Sequence, residues 1–234
     1  MDWRIAPTTC NAQNASWLLR LILRAALSIP GVSLAQSVPL TQASNVRDCR
    51  PCIFSPGGKF PAYTLTFGLK MAGADRSVQT IEVVNQDSKA TQTLTVSEMD
   101  TVGPEEDFFF GGVDINFDGV LDLMLITRRG TANAHADYWI FDGASGTFKL
   151  LGSFPVFSAD AARKRLKTYE RGGYGGMIYE SKEYAFVAGK LTVMRIEKQE
   201  AARHPGMFRR VVQQRVNGVM KTVSTQTVQS PKKS

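Results

Sequence analysis

Histidine and cysteine are scarce in this chain of 234 residues, which has two histidines and three cysteines. His135 and His204 offer no ligand-pair spacing, so the sequence does not indicate a zinc site. No nucleophile turn accompanies either histidine, and both are predicted to lie in loops. Because hydrolysis needs a nucleophile with its base, or two carboxylates across a cleft, we expect a protein that is not an enzyme.

A transmembrane run is absent from the body of the chain, and the N-terminal region has a different character. Residues 17–34 are apolar apart from two arginines and end in small residues, including Ser33, with Ala35 following. This order predicts a secretory signal over residues 1–35, cleaved after Ala35. The alternative is a helix packed on the domain, which Pro30 and Gly31 would interrupt. We therefore expect a periplasmic or secreted protein with no membrane span in the mature chain.

The number and spacing of the cysteines are consistent with export. Cys10 falls within the predicted signal, which leaves Cys49 and Cys52 in the mature protein. Their spacing predicts a local disulfide, although their oxidation state remains open at this point. The alternative is a redox C-x-x-C motif, but the βαβ context that such motifs need is missing.

Acidic residues are few toward the C-terminus. The full chain has a formal net charge of +7, which falls to +5 without residues 1–35, and from residue 160 onward 16 lysines and arginines face 6 acidic residues. A basic surface favours anionic partners, such as an anionic envelope polymer or an acidic protein. Its plainer interpretation is a solvated face. Nucleic acid is not expected as a partner, because no recognisable reading element is present.

Short alternating segments separated by turn residues are typical of antiparallel β structure. They predict an all-β fold, an antiparallel β-sandwich or flattened barrel with few or no helices. We expect a flexible lead over residues 36–45, one β domain over residues 46–228 and a disordered tail over residues 229–234. One short helix is predicted near residues 158–166. The predicted hairpins cross residues 85–88, 142–146, 188–189 and 217–218.

The most informative segment is an acidic turn between two apolar, strand-like runs. Oxygen-bearing positions recur at every second residue: Asp114, Asn116, Asp118, the carbonyl of Val120, and Asp122. Ca²⁺ takes six to eight such ligands, so the spacing predicts a calcium-binding β-hairpin loop. An EF-hand is not expected, because its bidentate glutamate is replaced here by Leu125.

The alternative for this segment is a turn whose side chains cap their own backbone amides. Three carboxylates in nine residues repel one another unless a cation neutralises them, which favours the metal. The motif occurs once, and this excludes a propeller in which each blade repeats it.

The order of features resembles that of exported FG-GAP-like bacterial proteins, which are similar to periplasmic inhibitors of invertebrate-type lysozyme. The matching segments are residues 114–119 with Asp122-Leu123, residues 138–142 with 146–148, residues 171–176, residues 184–186 and residues 189–191. The resemblance implies that calcium holds the fold in shape. It also implies a partner, a peptidoglycan hydrolase or another envelope protein.

The resemblance places the inhibitory role on a glycine-rich loop. Its residues are Arg171, Gly172, Gly173, Tyr174, Gly175, Gly176 and Tyr179. Glycines let the backbone approach a cleft closely, a tyrosine fills an apolar subsite, and the arginine pairs with a carboxylate. The alternative is a mobile loop between two strands. We therefore expect an inhibitor or immunity protein that blocks a lysozyme-like hydrolase by loop insertion, or alternatively a calcium-stabilised module that binds envelope glycan or polyanion.

Overall fold

A computed structural model describes residues 43–130 and 133–230 of the chain. All of these residues belong to one compact unit. The predicted signal over residues 1–35, most of the predicted lead and residues 231–234 of the tail lie outside the described residues. No helix in the described ranges is long and apolar enough to cross a membrane.

Within these ranges the backbone forms fifteen strands and a single 3-10 turn at Tyr174–Gly176. The all-β prediction is therefore confirmed. The strands, in chain order, are β1 (Ser44–Val46), β2 (Cys52–Phe54), β3 (Tyr63–Ala72), β4 (Asp75–Asn85), β5 (Thr91–Thr95), β6 (Phe108–Val113), β7 (Asp122–Arg129), β8 (Ala134–Asp142), β9 (Thr147–Pro155), β10 (Ser158–Asp160), β11 (Arg165–Arg171), β12 (Tyr179–Val187), β13 (Lys190–Ala201), β14 (Met207–Val216) and β15 (Val219–Gln229).

The strands form three antiparallel sheets. The central sheet has the order β1-β6-β7-β8-β9, the four-stranded sheet runs β2-β3-β4-β5, and the six-stranded sheet runs β10-β11-β12-β13-β14-β15. None of these sheets closes on itself among the described residues. The structure is thus consistent with a β-sandwich, and the flattened-barrel alternative is wrong.

The central sheet is buried on both faces, and β7 shows this most clearly. Successive side chains of a strand point to opposite faces of its sheet. Leu123 and Leu125 belong to the core shared with the four-stranded sheet, whereas Met124 and Ile126 belong to the core shared with the six-stranded sheet. An uninterrupted apolar run in β7 therefore reflects burial on two sides rather than a helix.

Aromatic rings fill the core between the central and four-stranded sheets. The ring of Phe67 in β3 meets those of Phe108 and Phe110 in β6 edge-on, with centroids 5.7 and 5.1 Å apart. Tyr63 makes the same kind of contact with Phe141 and Phe148 at 5.8 and 5.4 Å. Edge-to-face pairs at these distances stabilise a core beyond the area that they bury.

The core between the central and six-stranded sheets is smaller. Tyr138 of β8 packs near Phe157, with ring centroids 5.1 Å apart, and Phe157 packs edge-on against Tyr184 of β12 at 5.4 Å. Leu166 of β11 is fully buried in the same cluster. The six-stranded sheet is therefore attached to the central sheet mainly through β10, β11 and β12.

The four predicted hairpins form as expected. The sharpest is β14-β15, which turns at Asn217 and Gly218 with backbone φ of 52° and 80°. A two-residue turn with positive φ at both positions matches the right-handed twist of paired strands, and Asn-Gly is the sequence that adopts it most readily.

The helix predicted near residues 158–166 is wrong, because that segment forms the β10-β11 hairpin. In β11, Leu166 and Thr168 are buried and Lys167 between them is exposed, so burial alternates with the period of a strand. The carboxylate of Asp160 accepts a hydrogen bond from the amide of Arg163 at 3.0 Å, and Lys164 has φ of 52°. These are features of a turn rather than of a helix.

Cys49 and Cys52 are joined in a disulfide, with Cα atoms 5.0 Å apart, as their spacing predicts.

Strand pairing begins slightly earlier than the predicted domain boundary at residue 46. Ser44 and Asn45 pair with Phe110 and Phe109 as part of β1. Pairing likewise extends to residue 229, one residue past the predicted end.

Replacing Leu125 with alanine should destabilise the protein by about 2–5 kcal/mol, because the deletion leaves a cavity where β7 meets the first core. Urea denaturation followed by circular dichroism measures this. The matched control is Leu150→Ala, since Leu150 is 57% exposed and should lose less than about 0.5 kcal/mol. Equal losses in the two variants would contradict the burial of β7 in the first core.

Candidate functional site

The acidic turn connects β6 to β7, two neighbouring strands of the central sheet. Its apolar residues alternate with its polar ones. Ile115 is fully buried in the second core, and Phe117 packs against the same core. Phe117 and Gly119 have φ of 61° and 85°, so the backbone turns sharply at both positions. The turn is therefore fixed to the sandwich by its odd-numbered apolar side chains.

Polar side chains of the turn fold inward onto its own backbone. The carboxylate of Asp114 accepts hydrogen bonds from the amides of Asp118 at 3.1 Å and Gly119 at 3.0 Å. The Asn116 side-chain oxygen accepts from the same Asp118 amide at 3.0 Å. Asp118 accepts from the amide of Val120 at 2.8 Å and from the side-chain amide of Asn116 at 2.8 Å. Oxygens from Asp114 and Asn116 therefore converge on one amide.

Asp122 is the first residue of β7, and its carboxylate is fully buried. One oxygen accepts the amide of Phe141 in β8 at 2.8 Å, and the other accepts the amide of Ile115 at 3.1 Å. Burial raises the pKa of Asp122 to about 7, and the carboxylates of Asp118 and Asp114 add to this increase while the two amides oppose it. Asp122 thus ties the acidic turn to the neighbouring strand.

The structure brings the predicted metal ligands into one turn without forming a carboxylate cluster. No group of three or more His, Cys, Asp or Glu side chains in residues 43–130 and 133–230 is arranged to hold a metal ion. The observed hydrogen bonds are those of a turn that caps its own amides. Amide caps and metal ligation are compatible, because a carboxylate has about four lone-pair sites. Calcium binding therefore stays a prediction.

Replacing Asp122 with alanine should destabilise the protein by about 3 kcal/mol or more, because two buried amides would lose their acceptor. Thermal or urea unfolding measures the change. Asp87→Ala is the control, since Asp87 is an exposed turn residue and should shift stability by less than about 0.5 kcal/mol. A neutral Asp122→Ala variant would contradict the anchoring role.

The glycine-rich loop joins β11 to β12 at one end of the six-stranded sheet. Three consecutive residues have left-handed backbone conformations, namely Tyr174, Gly175 and Gly176 with φ of 55°, 63° and 89°. Tyr174 is 71% exposed, and one edge of its ring packs against Phe208 of β14 with centroids 5.9 Å apart. The loop therefore presents a tyrosine to solvent on a tightly turned backbone.

Hydrogen bonds hold this loop at both ends. The amide of Gly172 donates to the carbonyl of Ile178 at 2.7 Å. Asn133 exchanges two hydrogen bonds with the backbone of Arg171, at 2.7 and 2.8 Å. The Gln199 side chain donates to the carbonyl of Met177 at 2.7 Å. These contacts attach the loop at its two ends to Asn133 and to Gln199 of β13, and both the inserting loop and the mobile loop stay predictions.

Sequence reasoning missed a polar network beside the loop. The hydroxyl of Tyr179 donates to Glu197 of β13 at 2.7 Å, and Glu197 also contacts Arg195 at 3.0 Å. Burial first, and then this hydrogen bond, raise the pKa of Tyr179 to about 12, while the same bond from Tyr179 lowers the pKa of Glu197. Arg210 of β14 donates to Gln199 at 3.0 Å. The sequence carries no local signal for this network, because its members come from three strands.

The histidines occupy different settings. His135 lies within β8 rather than in a loop, so that prediction is wrong, and its Nε2 is 3.4 Å from a Glu170 oxygen. His204 lies between β13 and β14, as predicted. Asp137 is buried and accepts the amide of Ser97 at 2.7 Å. The structure therefore does not pair His135 with the aspartate that lies closest to it in sequence.

Together the fold and these segments define a three-sheet antiparallel β protein with one acidic hairpin turn and one exposed glycine-rich loop. Among solved structures, a Xanthomonas protein described as related to a type IV secretion system is similar to it. The similarity has a TM-score of 0.51 and 16% sequence identity, and covers 78% of this chain and 98% of that chain. Identity at this level shows a shared fold alone.

Comparisons of sequence add nothing further. No protein-family model matches the chain, and no curated protein matches it. The resemblance to FG-GAP-like proteins and to lysozyme inhibitors therefore stays a prediction.

Proposed function

We propose that this protein is exported to the periplasm or beyond the cell, binds Ca²⁺ at its acidic turn, and blocks a peptidoglycan hydrolase with its glycine-rich loop. It acts by contact rather than by catalysis. The observation that carries the proposal is the exposed side chain of Tyr174, held on a loop whose two ends are hydrogen-bonded to Asn133 and to Gln199 of β13.

The loop has the physical properties that insertion into a cleft requires. A binding segment loses less conformational entropy when it is already ordered, and the hydrogen bonds from Asn133 and Gln199 supply that order. Tyrosine and arginine are, with tryptophan, enriched among the residues that contribute most to binding at protein interfaces. Arg171 is exposed, and its guanidinium lies against Gly176, where a Cβ would come within 3.3 Å of Nε. Glycine at position 176 thus leaves room for the arginine.

Calcium fits the donor chemistry of the acidic turn. Asp114 and Asp118 supply carboxylate oxygens and Asn116 an amide oxygen. The carbonyl of Val120 adds a main-chain oxygen, and Asp122 adds a third carboxylate at the start of β7. Hard oxygen donors of this kind suit Ca²⁺. A bound cation would also favour the charged form of Asp122, which burial disfavours.

An envelope location agrees with the fold comparison and with the disulfide. The Xanthomonas neighbour is described as related to a type IV secretion system. A disulfide such as Cys49–Cys52 persists in oxidising compartments, which include the bacterial periplasm.

Calcium at about 10 mM should stabilise the protein by about 1.4–2.7 kcal/mol if the dissociation constant is about 10⁻⁴ to 10⁻³ M. This corresponds to a rise in melting temperature of about 3–10 °C. Asp118→Ala should abolish the rise, whereas Asp87→Ala should keep it. A chelator restores the lower melting temperature. If calcium shifts wild type and Asp118→Ala equally, the turn is not the site.

The mature protein should inhibit at least one member of a panel of peptidoglycan hydrolases. Tyr174→Ala should weaken inhibition by about 30-fold or more, because a buried aromatic anchor contributes about 2 kcal/mol or more to an interface. The measurement is lysis of a peptidoglycan suspension against inhibitor concentration. Leu150→Ala is the control, because Leu150 is an exposed apolar side chain on β9, in a different sheet from the strands that flank the loop.

Inhibition that is equal in wild type and Tyr174→Ala would contradict the role of the loop. Inhibition of no hydrolase, together with co-sedimentation on purified cell-wall material, would instead favour the module that binds envelope glycan or polyanion.

A further inference from the structure

The outer face of the six-stranded sheet carries a row of polar side chains across its width. Leu166 and Tyr184 belong to the second core. Successive side chains of a strand point to opposite faces, so their neighbours Lys167 and Glu183 point outward. Residues directly opposite on antiparallel strands share a face. Following the pairing from β10 to β15 gives one outward row: Ser158, Lys167, Glu183, Arg195, Gln214 and Lys221.

Two cavities that lie side by side along this row form what we call the outer groove. The first, of about 360 Å³, is lined by Lys167, Ser181, Glu183, Arg195, Glu197 and Gln214. The second, of about 270 Å³, shares Lys167 and Glu183 with the first and adds Ser158, Ala159, Asp160, Arg163 and Arg165. Of these lining residues only Ala159 lacks a polar side chain. The outer groove therefore suits a ligand that offers many hydrogen-bonding groups, because an apolar ligand would leave its polar lining unpaired.

A stacked pair of tyrosines borders the outer groove. Tyr169 lies directly opposite Ser181, one of the lining residues, so its ring stands on the same face of the sheet. The rings of Tyr169 and Tyr179 stack with centroids 5.4 Å apart and planes inclined by 30°. The hydroxyl of Tyr179 is in turn held by Glu197 at 2.7 Å. Tyr169 is 43% exposed, and it thus presents a supported aromatic ring to solvent beside the polar cavities.

Positive charge is in excess along the outer groove. Two ion pairs neutralise four of its seven charged side chains, namely Arg195 with Glu197 at 3.0 Å and Arg163 with Asp160 at 3.7 Å. Within residues 43–130 and 133–230, three charged lining residues form no ion pair: Arg165, Lys167 and Glu183. Their net charge is +1, and Lys221 in the same row adds one more. An anionic group is therefore the complementary partner, since arginine and lysine form charge-assisted hydrogen bonds with carboxylates.

We propose that the outer groove binds an acidic oligosaccharide, with one sugar ring against Tyr169 and a carboxylate near Lys167 and Arg165. The hydroxyl groups of such a ligand both donate and accept hydrogen bonds, as the polar lining requires. The face of an aromatic ring is negative, so it attracts the weakly positive C–H groups of a sugar ring. The stack on Tyr179 orders the platform before binding and lowers the entropic cost. A simple anion would leave the tyrosine unused.

The outer groove is separate from the two sites of the proposed function. The acidic turn joins strands of the central sheet. The glycine-rich loop contacts Gln199 and Phe208, and neither residue lines the outer groove. The inference thus adds a further binding surface, and it depends on neither calcium nor a hydrolase.

The test is isothermal titration calorimetry of the mature protein with oligogalacturonate, which has sugar rings and carboxylates, in buffer that contains EDTA. Wild type should give a saturable titration. Two further oligomers of the same length each keep one half of this chemistry. A neutral glucose oligomer has the rings without the carboxylates, and a glutamate oligomer has the carboxylates without the rings. Each should bind about tenfold more weakly than oligogalacturonate.

Substitutions locate the site. Tyr169→Ala should weaken oligogalacturonate binding by about tenfold, whereas Tyr169→Phe keeps the ring and should bind like wild type. Lys167→Gln should also weaken binding by about tenfold, because a charge-assisted hydrogen bond is lost. Its control is Lys59→Gln, since Lys59 is exposed between β2 and β3 and lines neither cavity. Circular dichroism checks that each variant is folded.

Absence of saturable oligogalacturonate binding by wild type overturns the inference. Wild-type affinity in a folded Tyr169→Ala or Lys167→Gln variant overturns it as well. A glutamate oligomer that binds as tightly shows that charge alone suffices, and an equally tight glucose oligomer shows that rings alone suffice, so either result contradicts an acidic oligosaccharide site. Because the titration contains no hydrolase and no free calcium, its failure leaves the proposed function untouched.

Discussion

Burial of both faces of the central sheet is the constraint on which the remaining structure depends. Each of the strands β7 and β8 must supply apolar side chains in two directions, as Leu125 and Met124 do from adjacent positions. A strand in that position cannot slip by one residue without exchanging the two sets of side chains between cores of different shape. The register of β7 is therefore fixed, and the acidic turn that precedes it is fixed as well.

Asp122 links this packing to the candidate site. A carboxylate without solvent is costly unless its oxygens are satisfied, and here each oxygen accepts one backbone amide. One of those amides belongs to the turn and the other to β8, so the side chain couples the turn to the sheet. A cation held by the turn would stabilise this buried anion, and the proposed calcium site would then act on the stability of the whole sandwich.

The glycine-rich loop depends on the six-stranded sheet rather than on the acidic turn. It emerges from the six-stranded sheet, where β13 and β14 extend past the smaller core and place Gln199, Glu197 and Phe208 beside it. Contacts from β13, from β14 and from Asn133 hold a loop whose own sequence would favour flexibility. The six-stranded sheet thus carries both this loop and the long edge strand β15.

The sequence by itself determined the local features. Alternation of apolar and polar residues indicated strands, Asn217-Gly218 indicated its hairpin, and the spacing of Asp114, Asn116 and Asp118 identified the acidic turn. Such signals are visible because they act between residues close in the chain, where backbone conformation and side-chain direction follow from a few neighbours. The helix predicted near residues 158–166 was wrong, because a turn and a short helix contain the same kinds of polar residue.

Only the tertiary structure decided which strands lie between two layers, and therefore that the sandwich has three sheets. It also decided that both oxygens of Asp122 accept amides, that Gln199 and Asn133 hold the loop, and that β15 is left as an open edge. These outcomes depend on pairs of groups from distant parts of the chain, which meet only after the sheets have formed. No local sequence pattern predicts them, because the same strands could pack together in more than one order. Only the packing of the two cores determines which order forms.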